Sequence, residues 1–340
     1  METIDRKSCF VDTFTCTFKQ EKLDLYFPRF DSFLQQLRSL LQDMTGFKLG
    51  DPINSGRSGY SHVHRLLLDV ETDKGLKERC MGWVGYGGNN QRESVCVYID
   101  GTGCEHITKD GWNAVHYWLG LLEARITRCD LAVDTLTVSV DDVVDLYDDG
   151  RFYGGRGFIP KIGINGDWLN KIEGRTVYVG CREGGKMLRA YEKGKQLGDY
   201  SSKWVRLEVE MRSKYRDLPH DMVVNCMQYW AGAYPALKDL QPTVQPIVVP
   251  VRKILKFANV IKAVKWARTA CGGLLAYLRQ YLSDDAIIGL LARVNTVGTK
   301  WDDCIDPSEI ISSRLQADNL GANDLVYDAL VRLSPCASSA

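Results

Sequence analysis

Hydrophobic and polar positions repeat with two different periods along this chain. Residues 8–18 are rich in β-branched and aromatic side chains with partial alternation, which predicts a strand. Residues 30–44 place Phe33, Leu37, Leu40 and Leu41 at helical spacing, so a helix is expected next. Gly50, Pro52, Asn54, Gly56 and Gly59 then mark a loop. Strands are predicted over 62–70, 79–86 and 94–99, a helix over 112–123, a long strand over 126–140 and a helix opening at 141–148. After a glycine-rich connection over 151–166, three more strands follow at 175–180, 186–193 and 204–212, and helices return between 221 and 240. Pro242, Pro246 and Pro250 cannot sit in a regular helix and suit a stiff linker, beyond which the pattern is helical. The expected fold is α+β, a mainly antiparallel sheet flanked by helices with a helical C-terminal region. The expected domains are 1–241, a linker at 242–250 and a helical region at 251–340.

Composition narrows the class. Hydrophobic residues are 45% and charged residues 25%, far from the signature of disorder, so most of the chain should fold. The first dozen residues carry Asp5, Arg6 and Lys7, and no stretch has the length of apolar residues that a spanning helix needs; a soluble, cytoplasmic protein without membrane contact is expected. The eleven cysteines are scattered, with no Cys-x-x-Cys pair, and read as reduced, mostly buried side chains rather than a zinc site. Net charge is zero but segregated: residues 151–212 hold thirteen Lys or Arg against seven Asp or Glu, whereas residues 141–149 hold five Asp and no base. A basic segment of this kind can contact phosphates even in a neutral chain.

Three constellations carry chemistry. In the strand Arg128-Cys-Asp-Leu-Ala-Val-Asp134, Asp130, Ala132 and Asp134 share one face. Two carboxylates so placed repel unless a divalent metal or a base neutralises them; the plain alternative is an acidic solvent-facing edge. In Trp204-Val-Arg-Leu-Glu-Val-Glu-Met-Arg212, Arg206, Glu208, Glu210 and Arg212 share a face, which suits either cross-strand salt bridges or completion of an oxygen-ligand site for Mg²⁺ or Mn²⁺. In the strand from Lys186 to Lys193, Met187, Arg189 and Tyr191 face one way and Leu188 and Ala190 the other, with Lys193 and Lys195 continuing the reactive side. A tyrosine flanked by cations is expected to have its phenolate favoured and to sit where a phosphate binds; the alternative is a half-buried Tyr beside a solvated basic face.

The segments 128–134, 178–196 and 204–212, together with Tyr229-Trp-Ala-Gly-Ala-Tyr-Pro235, resemble the replication initiation factors of filamentous phages and small rolling-circle plasmids. The likeness is closest to the phage branch, spans roughly 12–240, and is most specific in Arg189-Ala-Tyr-Glu-Lys-Gly-Lys-Gln196 followed by Trp204-Val-Arg-Leu-Glu-Val-Glu210. It implies a rolling-circle-initiator-like fold and a site-specific DNA nicking and closing endonuclease. Tyr191 is then the nicking tyrosine, with a divalent metal, Mg or Mn, near Asp130, Asp134 and one of Glu208 and Glu210; Asp12 on the first strand joins them. Arg189 and Lys193 would stabilise the transition state. Arg182, Lys186, Lys195 and Arg206 would contact DNA. The products are a 5′-phosphotyrosine link and a free 3′-hydroxyl primer. Expected partners are the replication origin, as single strand at the nick and flanking duplex, and a host helicase and polymerase. The second nucleophile that closes the circle is Tyr178, Tyr200, water or a second subunit in a homodimer. Cys181 stands where a small hydroxyl residue is common in the family.

Two further features stay apart from that likeness. His62-Val-His64 spells a pattern that a related group of nicking enzymes uses for metal, yet a pair of histidines on a solvent face explains it equally simply. Arg252, Lys253, Lys256, Lys262, Lys265 and Arg268, interleaved with apolar residues, fit a basic amphipathic helix for duplex DNA or a partner protein. Rival functions are a non-catalytic DNA-binding regulator with the same fold and a mobilisation relaxase that makes the same nick for DNA transfer.

Overall fold

The computed structural model describes residues 8–53, 56–73, 75–88, 91, 93–155, 159–251 and 254–291. The chain divides into two compact units, Met1–Pro250 and Val251–Ala340.

In the first unit ten strands form one sheet. They are β1 (Phe10–Lys19), β2 (Lys48–Pro52), β3 (His62–Thr72), β4 (Gly75–Tyr86), β5 (Ser94–Ile99), β6 (Arg125–Thr135), β7 (Ile162–Gly166), β8 (Arg175–Cys181), β9 (Lys186–Glu192) and β10 (Val205–Arg212). Their order is β2-β3-β4-β5-β1-β6-β10-β9-β8-β7, and every neighbouring pair is antiparallel. The helices are α1 (Lys22–Tyr26), α2 (Phe33–Thr45), α3 (Gly101–His106), α4 (Lys109–Leu121), α5 (Val140–Asp148), α6 (Lys193–Gln196), α7 (Cys226–Ala231) and α8 (Pro235–Leu240). This is the antiparallel sheet with flanking helices that the two periods predict. The differences are local. The edge strands β2 and β7 lie in stretches read as loops because glycine and proline dominate them, and α3 begins on Gly-Thr-Gly, which looks like a turn. The Asp100 side chain, accepting from Gly103 N at 2.9 Å, supplies the cap that starts α3. Residues 136–139, predicted as strand, leave the sheet instead. Ser139 and Asp142 close a reciprocal capping box there and begin α5.

One sheet face is apolar. Cys129, Leu131 and Val133 of β6, Leu188 and Ala190 of β9, and Leu207, Val209 and Met211 of β10 join Leu37, Leu40 and Trp230 in a single core. The Tyr229–Pro235 motif belongs to this side. Trp230 is 1% exposed and donates its indole N–H to the Leu207 carbonyl at 3.0 Å; Tyr234 donates to the Val179 carbonyl at 3.0 Å. These aromatics bolt α7 and α8 onto the central strands, so their place in the motif is structural.

Lys186 also turns to this side, because it shares the parity of Leu188 and Ala190. Its ammonium donates to the Ala233 carbonyl and lies 4.0 Å from the Tyr234 ring centroid. The DNA contact expected of it is therefore not what its position offers. Burial, with Arg216 nearby, pushes its pKa down from 10.5 to about 8. Between those values the unfolded chain binds more protons than the folded one, so stability rises with pH across that window. Lys186→Met is expected to gain about 2 kcal/mol at pH 7, the desolvation cost less a hydrogen bond, with the gain shrinking towards pH 10. Urea unfolding midpoints at the two pH values check this; a variant less stable than the parent at pH 7 contradicts it.

In the second unit α9 (Ile254–Leu278) and α10 (Asp284–Leu291) are helical, and Arg279 pairs with Asp284 at 2.7 Å. Arg252 and Lys253, two of the expected DNA contacts, lie outside the described residues. Lys256 falls on the backbone of α9. Among the described residues no helix is long and apolar enough to cross a membrane.

Candidate active site

The opposite face of the central strands is charged, and the register dictates how. Cross-strand partners in an antiparallel sheet point the same way. Asp130 pairs with Glu210, and Glu210 with Met187; Ala132 pairs with Glu208, and Glu208 with Arg189; Asp134 pairs with Arg206, and Arg206 with Tyr191. Three rows thus cross β6, β10 and β9. A bulge between Val11 and Thr13 in β1 frees Asp12 from the ladder, and its carboxylate accepts from Arg206 at 2.6 Å. Every acid and base that alternation places on this face, Lys193 and Lys195 aside, is on it.

Each of these acids is engaged by at least one guanidinium. Arg206 holds Asp134 through two bonds, 2.8 and 3.0 Å, and Asp12 through a third, and is itself 4% exposed. Arg128 grips Asp130 at 3.0 and 2.5 Å, and also reaches Glu210 at 3.4 Å. Arg182 and Arg212 hold Glu210 at 3.0 and 2.5 Å. Arg189 donates to Glu208 at 2.5 Å. The expected convergence of Asp12, Asp130, Asp134, Glu208 and Glu210 on one point is replaced by this interleaving. Among the described residues no three His, Cys, Asp or Glu side chains are grouped to hold an ion as they stand. Salt bridges on neighbouring rows neutralise the face locally, which is the cross-strand alternative that the β10 stripe left open. Arg206, expected as a DNA contact, is buried between two carboxylates instead.

The neutralisation is uneven. Burial, with Glu208 and Glu210 close by, pushes Asp130 up to about 7 against the pull of Arg128. Burial and the nearby Asp12 also raise Glu208, against Arg189. Glu210 is instead lowered: its three arginines outweigh its burial. Burial therefore outweighs the neighbouring guanidiniums at Asp130 and Glu208, and the guanidiniums outweigh burial at Glu210. Carboxylate oxygens are the donors a hard divalent cation such as Mg²⁺ or Mn²⁺ takes, but Asp12, Asp130 and Glu208 are each engaged by a guanidinium here.

Tyr191 is at the floor of a cavity of about 720 Å³ bounded by β1, β6, β9 and β10 on one side and by α3 and α6 on the other. Its ring is 8% exposed. Arg189 lies 5.0 Å and Lys193 5.8 Å from the ring centroid, and the phenol donates to Glu208 Oε2 at 3.5 Å. The flanking cations were expected to favour the phenolate. The pKa goes the other way: burial first, then Glu208 and Asp12, raise it above its usual value despite Arg206 and Arg189. Desolvation is invisible in a one-dimensional pattern and here exceeds the Coulomb attraction. The phenol is a hydrogen-bond donor in this state, and its deprotonation calls for a base.

Lys193 closes the cavity from the first turn of α6, where the chain leaves β9 one residue earlier than predicted; burial lowers its pKa, and Arg206 contributes. Lys195 is turned away, bonded to Glu192 at 3.3 Å and to the Lys171 carbonyl at 2.7 Å. Arg182 stays half exposed at the far end of the face. Two buried donors on residues that line the cavity have no partner among the described residues, Arg189 Nε and Trp204 Nε1. Buried N–H groups left unpaired cost free energy unless a ligand takes them. Asp100, Thr102 and Glu105 of the α3 segment, with Gln196 and Trp204, also line the cavity and were not singled out from sequence. Of α3, the sequence shows only a glycine-rich start, Gly101-Thr-Gly103, which carries no periodic signal.

The histidine pair stands apart, on β3. Both rings stack on Tyr86, at 5.1 and 5.8 Å, and the two ring nitrogens of His64 meet Gly50 O at 2.9 Å and the Tyr86 hydroxyl at 3.2 Å. His64 is a satisfied structural residue.

Residues 124–246 match the family model of the replication initiation factors, the family that the motifs resemble. The match runs from β6 through α8 and takes in Asp130, Asp134, Tyr191 and Glu208. Among solved structures the chain is similar to a rolling circle replication initiator protein from Geobacillus stearothermophilus, with 19% identity over 70% of this chain and 85% of that one and a TM-score of 0.46. A search among curated proteins gives no match.

Proposed function

We propose that this chain initiates rolling-circle DNA replication by nicking one origin strand through Tyr191. The observation that carries the reading is the placement of one phenol in a polar cavity lined by Arg189, Lys193 and Arg206 and by Asp12, Asp100, Glu105 and Asp134, 3.5 Å from a carboxylate that can accept its proton. The family match over 124–246 supports the same reading.

In the proposed reaction the Tyr191 oxygen attacks the scissile phosphorus and its proton passes to Glu208, whose basicity burial maintains. A phosphorus–oxygen bond forms to the tyrosine as the bond to the 3′-oxygen breaks, and that oxygen leaves as a 3′-hydroxyl on taking a proton. Arg189, through its unpartnered Nε, and Lys193 stabilise the negative charge that grows on the phosphoryl oxygens. Arg206 holds Asp12 and Asp134 so that neither repels the incoming phosphate. Asp12 and Asp130, with Glu208 beside them, would hold a magnesium or manganese ion, which when bound supplies charge withdrawal from the scissile phosphate. The 3′-hydroxyl then primes a host polymerase behind a host helicase. Closure of the circle calls on a second nucleophile, for which Tyr200, 62% exposed beyond α6, is better placed to reach solvent than Tyr178.

The test is to incubate the full chain with negatively supercoiled circles of its own replicon and Mg²⁺ or Mn²⁺. Open circles carrying one protein-linked 5′ end are expected. Tight binding without any open circle would instead make the chain a DNA-binding regulator.

A further inference from the structure

Tyr191 poses a geometric problem for its own proposed reaction. A phosphate inside a paired duplex cannot descend to a ring that is 8% exposed on a cavity floor, so the strand to be cut must first be lifted from its partner. A device suited to that task lies at the end of β7 and β8, on the strands that continue the sheet beyond Tyr191.

The loop 167–174 joins β7 to β8 at the edge of the sheet, with Gly166 paired to Arg175, and Thr176 paired across to Tyr191. It therefore begins one register step beyond the row that contains the phenol. The loop is firmly built. Asp167 accepts from the backbone N–H groups of Asn170, Ile172 and Glu173 at 2.9, 3.0 and 3.4 Å. Trp168 donates to the Asn165 carbonyl at 2.9 Å and lies under the Arg175 guanidinium at 5.0 Å. The Lys171 carbonyl is tied to Lys195, in the helical turn that follows Tyr191, at 2.7 Å.

What this scaffold presents is unexpected for so ordered a loop. Leu169 is 95% exposed and Ile172 66% exposed, with Lys171 between them at a φ of +59°, a backbone conformation that a lysine adopts only where its surroundings enforce it. Order, strain and exposed aliphatic side chains coincide at one apex. Two aliphatic chains are far too little apolar surface for a stable protein interface, which needs about 800 Å² per partner. They match the short apolar wedges that enter between base steps and unstack them. Lys171 between them is half exposed and only loosely paired, 3.6 Å from Asp141, so its ammonium can turn to a phosphate backbone.

We infer that the 167–174 loop is a DNA wedge, in which Leu169 and Ile172 enter the origin duplex beside the nick and free the strand that Tyr191 cuts. The inference rests on the nicking role proposed above, and a readout without cleavage keeps the two separable. Full-length Leu169→Ser/Ile172→Ser protein is compared with the parent on relaxed duplex circles and on single-stranded circles of the same replicon. Permanganate reactivity of unpaired thymines is measured separately on duplex circles in a Tyr191→Phe background. The double variant is expected to lose tenfold or more in nicking of relaxed duplex, to stay within twofold on single strands, and to lose the permanganate signal. Equal nicking of both duplex and single strands by parent and variant, an equal loss on both, or a permanganate signal that survives the double substitution would overturn the wedge. A Tyr191→Phe protein that still nicks, while its permanganate signal depends on Leu169 and Ile172, would overturn the nucleophile and leave the wedge standing.

Discussion

Tyr191→Phe protein is expected to fold and bind DNA as the parent does and to open no circles, with nicking reduced by roughly four orders of magnitude or more, the scale on which removing a nucleophile acts. The stability side of this expectation follows from the contacts. The ring keeps its place near Arg189 and Lys193, and among the described residues the one hydrogen bond lost is long, 3.5 Å to Glu208. That loss costs about 1 kcal/mol at most. The catalytic side follows from the surroundings. Glu208 has no other phenol within hydrogen-bonding reach in the structure described, and a water in the vacated position would lack the covalent tether that conserves the energy of the cut bond. Supercoiled-to-open-circle conversion measures the effect; a Phe variant that nicks within tenfold of the parent removes Tyr191 from the mechanism.

Arg206→Met is the substitution expected to damage the fold most. Its guanidinium makes three bonds to Asp134 and Asp12 and packs 4.9 Å from the Phe10 ring centroid, with almost no access to water. Removing it strands two carboxylates against a buried face, a penalty of about 3–5 kcal/mol. The sign depends on those acids, which yields an internal control. Arg206→Met combined with Asp12→Asn and Asp134→Asn is expected to recover most of the stability, because no uncompensated charge then remains, while activity stays lost. Lysine in place of Arg206 should rescue only partly, since one ammonium cannot reproduce the bidentate bond to Asp134 and the branch to Asp12. Urea midpoints of the single and triple variants measure this. A single variant as stable as the parent would mean that the ladder of ion pairs is not what holds the face together.

The face itself was legible in the sequence. Strand periodicity is two, so Asp130, Asp134, Arg206, Glu208, Glu210, Arg189 and Tyr191 had to share a side once β6, β9 and β10 were recognised as neighbours. Lys186 shows the limit of reading charge before parity: its number aligns it with Leu188 and Ala190, and the structure puts it among them. Which acid meets which arginine was not legible, because those choices are long-range. Arg206 and Asp12 are separated by 194 positions and meet only because a bulge turns Asp12 out of β1. The raised pKa of Tyr191 was hidden for the same reason, since burial is a property of the folded neighbourhood and the cations beside it are not. The edge strands β2 and β7 escaped notice because short strands rich in glycine and proline carry almost no periodic signal.

The most direct measurement is the identity of the amino acid joined to DNA. Protein stopped in mid-reaction with circles of its own replicon is digested with nuclease and trypsin, and the peptides are analysed by mass spectrometry. The tetrapeptide Ala190-Tyr-Glu-Lys193 is expected to carry the nucleotide remnant on its tyrosine. A remnant on the peptide containing Tyr178 or Tyr200 during the first cut, or nicked circles with no protein attached, would contradict the account.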